Sequence, residues 1–226
     1  MSDALYLSLW YPNLRLAGLP EKLTSVLGEF ARHGGEPLVY SATVWPVSWH
    51  ETPVFQRVYG RMGGSGADPK LAVEEALELL HEDYAYEFQI GWNLWELERG
   101  RKATTDPDST PIASAISAQD DSSDGAGRWV RAPRLVRVTG FGPLFDEGAY
   151  EQDGHIRIDF GGDAPFLEED AELDSTAARH MEENIRQLVE LTNGVEKASG
   201  ATARLLWSEL GESLAQRLAA RLSHGN

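Results

Sequence analysis

Residues 84–98, YAYEFQIGWNLWELE, decide the fold class that the sequence predicts. Every second residue from the first is aromatic or aliphatic: Tyr84, Tyr86, Phe88, Ile90, Trp92 and Leu94. The residues between them are mostly small or polar. Because successive side chains of a β-strand point to opposite faces of the sheet, this alternation predicts a long strand with one apolar face. We expect a strand of this length at the centre of a sheet.

The residues before this strand predict alternating strands and helices. Strands are predicted at 4–10, 38–45 and 53–59, and helices begin at Pro20 and Pro69, where the missing N–H of proline is harmless. Asp68 is a suitable N-cap for the second helix. The resulting order over residues 1–98, βαββαβ, is that of a ferredoxin-like sandwich, in which two helices cover one face of an antiparallel sheet.

The second half of the chain predicts an extension of this sheet. Residues 99–133 predict a long polar loop or insertion, because 101–127 are rich in Ser, Thr, Asp and Gly without periodicity. Residues 134–226 predict two more strands, at 134–141 and 155–160, and two C-terminal helices, one capped by Asp174 or Ser175 and one from about Ala201.

We therefore predict a single α+β domain over residues 1–226. Its mostly antiparallel sheet starts with the ferredoxin-like unit, gains two strands and ends with the two C-terminal helices. Exposed leucines on the last helix would indicate a homo-oligomer.

The charge of the chain favours some partners and disfavours others. Lys and Arg number 20 against 36 Asp and Glu, so the net charge is −16. Such a field repels phosphate backbones and anionic membrane surfaces. We therefore expect a protein partner, in particular a basic one, and neither nucleic acid nor membrane.

The compartment and cofactors are predicted from what the sequence lacks. It has no cysteine, no signal-peptide pattern and no apolar run near the roughly 18 residues of a membrane helix. We expect a cytoplasmic protein without a cofactor.

Three residues of the strand predicted at 155–160 are candidate catalytic groups. His155, Arg157 and Asp159 fall on one strand face, where His and Asp could act as acid and base and Arg could hold an anion. Same-face neighbours are about 7 Å apart, so they would have to converge on a ligand. The alternative is a solvated face with local charge pairs. The acids from Asp159 to Asp170 lack the spacing of a calcium loop, and we expect no metal site.

The aromatic residues supply the candidate binding surface. We expect them to share the sheet face opposite the first two helices with polar neighbours, and the candidates are Trp10, Trp45, Trp95, Glu87 and Gln89. Trp and Tyr dominate binding hot spots. The alternative is that the C-terminal helices cover this face.

These observations favour a non-catalytic acidic binding protein, such as an inhibitor or immunity-type protein that neutralises a basic partner. The alternative function is a small-molecule enzyme or ligand-binding protein whose site surrounds His155, Arg157 and Asp159.

Overall fold

The strand predicted at residues 84–98 lies inside a seven-stranded sheet. The computed structural model describes residues 3–98, 128–167 and 175–208. The strands are β1 (Ala4–Trp10), β2 (Gly35–Pro46), β3 (Phe55–Val58), β4 (Tyr84–Glu98), β5 (Arg128–Phe141), β6 (Ile156–Gly162) and β7 (Ala203–Ser208). Their order across the sheet is β3-β2-β4-β5-β6-β1-β7, and all neighbours are antiparallel.

The helices of the described residues are mostly on one side of this sheet. They are α1 (Leu19–Arg32), α2 (Pro69–Ala76), α3 (Ala149–Gln152), α4 (Ala164–Leu167) and α5 (Ser175–Ser199). Short 3₁₀ turns cover Leu16–Gly18 and Phe145–Gly148. The side chain of Asp68 accepts hydrogen bonds from the backbone N–H groups of Lys70 and Leu71, as expected of an N-cap.

The apolar face of β4 builds the main core. Its alternating large residues Tyr86, Phe88, Ile90, Trp92 and Leu94 are buried there with the apolar stripe of α1. The ring of Phe30 on α1 meets that of Trp92 edge to face, with centroids 6.1 Å apart. The apolar residues of α5 join the same core beside α1: Ile185, Leu188, Leu191 and Val195. Helix α5 therefore packs on the core face, not on the opposite face.

The α+β class with an antiparallel sheet is confirmed, and so is the meander of β4, β5 and β6. The ferredoxin-like unit is not confirmed. Strand β5 pairs with β4 from Ala85 to Glu98 and β2 occupies the other side of β4, so no edge of β4 remains for β1. Strand β1 lies instead between β6 and β7.

The helix predicted from about Ala201 is wrong for residues 203–208, which form β7. This strand pairs with β1 residue by residue from Leu5–Ser208 to Trp10–Ala203. The pairing satisfies backbone groups that an unpaired β1 edge would leave open. The stacked rings of Tyr6 and Trp207, with centroids 4.6 Å apart, reinforce it.

Several predictions fall partly or wholly outside the described residues. Residues 128–133 of the predicted loop form the first part of β5. Residues 99–127 lie outside, as do residues 209–226 of the predicted last helix. In the three described ranges, no helix combines the length and hydropathy needed to cross a membrane.

Candidate functional site

The sheet face opposite α1 carries two rows of mainly polar residues that cross all seven strands. The first row is Val58, Ser41, Gln89, Arg137, Asp159, Tyr6 and Trp207. The second row is Gln56, Thr43, Glu87, Thr139, Arg157, Ser8 and Leu205. We call Glu87, Arg137, Asp153, Arg157 and Asp159 the central charged patch. The strand parity of β4 and β6 and the meander register bring the four strand residues to one face, and Asp153 joins them through its bond to Arg157.

Arg157 is the most constrained member of the central charged patch. Its guanidinium carbon lies 5.4 Å from the ring centre of Phe141, 5.6 Å from that of Tyr6 and 5.9 Å from that of Trp49. Its Nη1 donates to Asp153 Oδ2 at 2.5 Å. A guanidinium among aromatic rings gains from their negative faces, so Arg157 is held by three rings and one carboxylate.

Arg137 and Asp159 form a second, more exposed pair. Arg137 Nη1 lies 3.4 Å from Asp159 Oδ2, and the Arg137 side chain keeps 52% of its exposure. Asp159 Oδ1 also accepts the backbone N–H of Gly161 at 2.8 Å. Asp159 is therefore oriented by backbone and by Arg137 together.

Glu87 is the acid whose ionisation is disturbed most clearly in the patch. Burial raises the pKa of its carboxyl group, while the charge of Arg137 and the side chain of Gln89 oppose this shift. By register Glu87 stands between Thr43 on β2 and Thr139 on β5, and both threonines are buried. A partly desolvated carboxylate in this position is a candidate binding group.

His155 does not join Arg157 and Asp159. It precedes β6, and its Nδ1 accepts the backbone N–H of Tyr11 at 3.1 Å. Its ring stacks on Tyr150 with centroids 4.0 Å apart, and burial lowers its pKa. This geometry makes His155 a contact between the end of β1 and the start of β6.

The three tryptophans proposed for binding occupy three different settings. Trp45 packs against Trp49 at 5.8 Å between ring centres, beside the central charged patch. Trp10 Nε1 donates to the carbonyl of Glu151 at 3.1 Å. Trp95 packs on α5, where its ring lies 3.9 Å from that of His180. By register Trp45 and Gln89 lie on either side of Glu87 on one sheet face, and Trp95 contacts α5.

A second surface, not among those predicted from the sequence, forms at one end of the sheet. Three connections meet there: 47–54 after β2, 77–83 before β4, and 142–155 between β5 and β6. They contain no Lys or Arg and eight acids: Glu51, Glu78, Glu82, Asp83, Asp146, Glu147, Glu151 and Asp153. We call this end the acidic loop surface. The sequence contains a signal for this surface, namely the acids of the three connections. Antiparallel pairing of neighbouring strands brings these connections to the same end of the sheet.

Backbone hydrogen bonds join the three connections of the acidic loop surface. The N–H of Val47 donates to Asp83 O at 2.7 Å, and the N–H of Asp146 donates to Val47 O at 2.9 Å. The N–H of Leu144 donates to Glu82 O at 2.7 Å. Large apolar side chains stand exposed among the acids: Val47 (54%), Leu144 (65%) and Leu79 (72%).

The described residues thus form an α+β fold whose sheet carries a central charged patch on one face and an acidic surface at one end. No protein-family model, curated protein or solved structure is significantly similar to the chain. Among the residues that the structure describes, no group of three or more His, Asp or Glu side chains is placed to hold a metal ion.

Proposed function

We propose that this chain is a binding protein that neutralises a basic protein partner, in the manner of an inhibitor or immunity-type protein. The observation that carries this proposal is the acidic loop surface, where three joined connections carry eight acids and no Lys or Arg. One of the eight, Asp153, is paired with Arg157 of the central charged patch. An acidic surface attracts a basic partner, which speeds association, and it repels acidic proteins. The cytoplasm is the expected compartment.

The apolar side chains of this surface supply the contact energy that charge alone does not. Exposed ion pairs are typically worth about 0–1 kcal/mol, whereas buried apolar anchors dominate most interfaces. Val47, Leu79 and Leu144 are exposed on the same three connections as the acids. We propose that they form the apolar centre of the interface and that the acids form its rim.

The backbone bonds between the connections support a preformed interface. A surface that is already ordered before binding loses less conformational entropy on association. The bonds from Val47 to Asp83 and from Asp146 to Val47 fix the relative positions of all three connections.

An enzyme that uses His155, Arg157 and Asp159 has less support. The N–H of Tyr11 occupies Nδ1 of His155, which removes that nitrogen as a base. Arg157 pairs with Asp153, and Asp159 pairs with Arg137. The three groups therefore face different partners.

The test is a pull-down with purified protein from extract of its own source organism, at low and at high salt. The captured protein is identified by mass spectrometry, and its Kd is then measured against salt with pure components. We expect a basic protein whose affinity falls steeply with salt.

Matched variants locate the interface. The loop variant combines Glu82→Gln, Asp146→Asn and Glu147→Gln, and the control combines Glu74→Gln, Glu182→Gln and Glu190→Gln on α2 and α5. Both remove three negative charges. The proposal requires the loop variant to lose at least tenfold in affinity and the control to lose much less; equal losses would contradict it.

A further inference from the structure

Glu87, a member of the central charged patch, has two long neighbours of complementary chemistry. It stands directly opposite Thr43 and Thr139, so Trp45 on β2 and Arg137 on β5 are its diagonal neighbours. Diagonal residues of antiparallel strands are about 7–8 Å apart, within reach of long and aromatic side chains. One small molecule lying over Glu87 can therefore contact all three.

The carboxylate of Glu87 is suited to a cation. It is partly withdrawn from water, and the guanidinium nearest to it in register, that of Arg137, is bonded to Asp159. Within the described ranges, Glu87 forms no ion pair of its own. An ammonium group placed against it would replace the water that burial has removed.

Arg137 is suited to an anion on the same side of the sheet. A guanidinium has five N–H donors, and the described residues engage Nη1 alone, through Asp159. Half of the Arg137 side chain is exposed. A carboxylate can bind the remaining donors while Asp159 keeps the guanidinium in place.

Trp45 supplies an apolar wall beside these charges. Its ring packs against Trp49, and its Nε1 is buried without a hydrogen-bond acceptor among the described residues. The buried N–H does not face solvent, so the part of Trp45 that a ligand can contact is its ring.

We propose that the central charged patch binds a small zwitterion with an apolar side chain, a free amino acid or a short peptide. Its ammonium group binds Glu87, its carboxylate binds Arg137, and its apolar side chain lies against Trp45. The two charges of opposite sign, Glu87 on β4 and Arg137 on β5, are complementary to those of the ligand. This site is independent of the protein-binding function proposed for the acidic loop surface.

Calorimetric titration of the purified full chain tests the site with defined probes. The zwitterions are L-phenylalanine and glycyl-L-phenylalanine, and the controls are N-acetyl-L-phenylalanine, which lacks the cation, and L-phenylalaninamide, which lacks the anion. We expect at least one zwitterion to bind and both controls to bind at least tenfold more weakly. The stronger of the two zwitterions identifies the source as free amino acid or peptide. Binding of neither zwitterion, or equal binding of the controls, overturns the proposal.

Variants then place the binding zwitterion on the sheet. Glu87→Gln and Arg137→Gln should each weaken its binding at least tenfold, while Glu74→Gln at an exposed position of α2 should leave it unchanged. Circular dichroism verifies that each variant is folded. Unchanged binding by folded Glu87→Gln protein overturns the assignment. The same variants should keep their affinity for the basic partner, which separates this site from the acidic loop surface.

Discussion

The carbonyl of Val47 accepts a 2.9 Å hydrogen bond from the N–H of Asp146, and both residues have a left-handed backbone. Their φ angles are 59° and 47°. Positive φ is tolerated by Asp but is an outlier for a β-branched residue such as Val. The bond thus joins two strained positions from different connections. Strain of this kind costs about 1–3 kcal/mol and collects at functional sites.

Replacing Val47 with Asn should raise the free energy of unfolding by about 1 kcal/mol, because Asn adopts positive φ more readily. Urea denaturation measures this change. Val54→Asn is the matched control, since Val54 is similarly exposed but its φ is not positive. If the two substitutions have the same effect, Val47 is not strained. Affinity for the basic partner should fall in Val47→Asn, because an apolar contact is lost.

The Glu87→Gln substitution should stabilise the protein near neutral pH. Burial raises the folded-state pKa of Glu87, so the folded state is penalised once this carboxylate ionises, and a neutral amide of the same shape avoids the penalty. The gain should vanish at about pH 3.5, where unfolded glutamate is also mostly protonated.

Denaturation of wild type and Glu87→Gln at both pH values measures this difference. Glu74→Gln, at an exposed helical position, serves as the control and should change little. A loss of stability in Glu87→Gln at neutral pH would contradict the prediction. If the Glu87→Gln protein is more stable than wild type and also loses ligand binding, then Glu87 serves binding at a cost in stability.

Stability should fall as the pH is lowered through the titration of His155. Burial lowers its folded-state pKa, so the unfolded chain takes up a proton first, starting near its ordinary value of about 6.5. Protonation at Nδ1 would also break the bond from Tyr11. The loss begins near pH 6.5 and is complete below the folded-state pKa.

The comparison of wild type with His155→Gln isolates this contribution. We expect wild type to lose more of its unfolding free energy than His155→Gln between about pH 7.5 and pH 5.5, a range that brackets the ordinary histidine pKa. His50→Gln, on an exposed loop, should follow wild type. Parallel pH profiles for wild type and His155→Gln would contradict the assignment.

Replacing Asn184 with Leu should cost about 3 kcal/mol of unfolding free energy, because buried backbone groups lose their partners. The Asn184 amide accepts the N–H of Trp95 at 2.9 Å and donates to the carbonyls of Trp95 and Pro165 at 2.8 and 2.9 Å. Thermal or urea denaturation measures the loss. Glu190→Leu on the exposed face of the same helix should cost little, and a similar cost for both would show that these bonds are unimportant.

The period of two in residues 84–98 was sufficient to predict β4 and its buried face. Pairing of distant strands was not predictable in the same way. Strand β1 has an alternating pattern that fits several positions, and its place beside β6 depends on β5 having occupied β4. For β7, the spacing of Leu206 from later leucines favours a helix, and the open edge of β1 outweighs that local preference.

The candidate site was predictable to the extent that strand parity determines it. Glu87, Gln89 and Trp45 could be assigned to one face, because β4 and β2 are regular there. Arg137 required the register of β5, which a single strand pattern does not contain. The spacing of His155 predicts the same face as Arg157, but the strand begins only at Ile156 and the His155 ring bonds the backbone of Tyr11.

The side chain of Asn184 imitates a peptide unit at the rim of the sheet. Along one edge of β4, the pairing with β2 stops near Gly34, whose carbonyl accepts the N–H of Asn93. Trp95 comes next on this edge, and one amide group from α5 takes both of its backbone bonds. Exposed edges of this kind recruit strands from other molecules and nucleate aggregates. Helix α5 therefore protects the protein against self-association at this edge, and variants that loosen it should precipitate before they unfold.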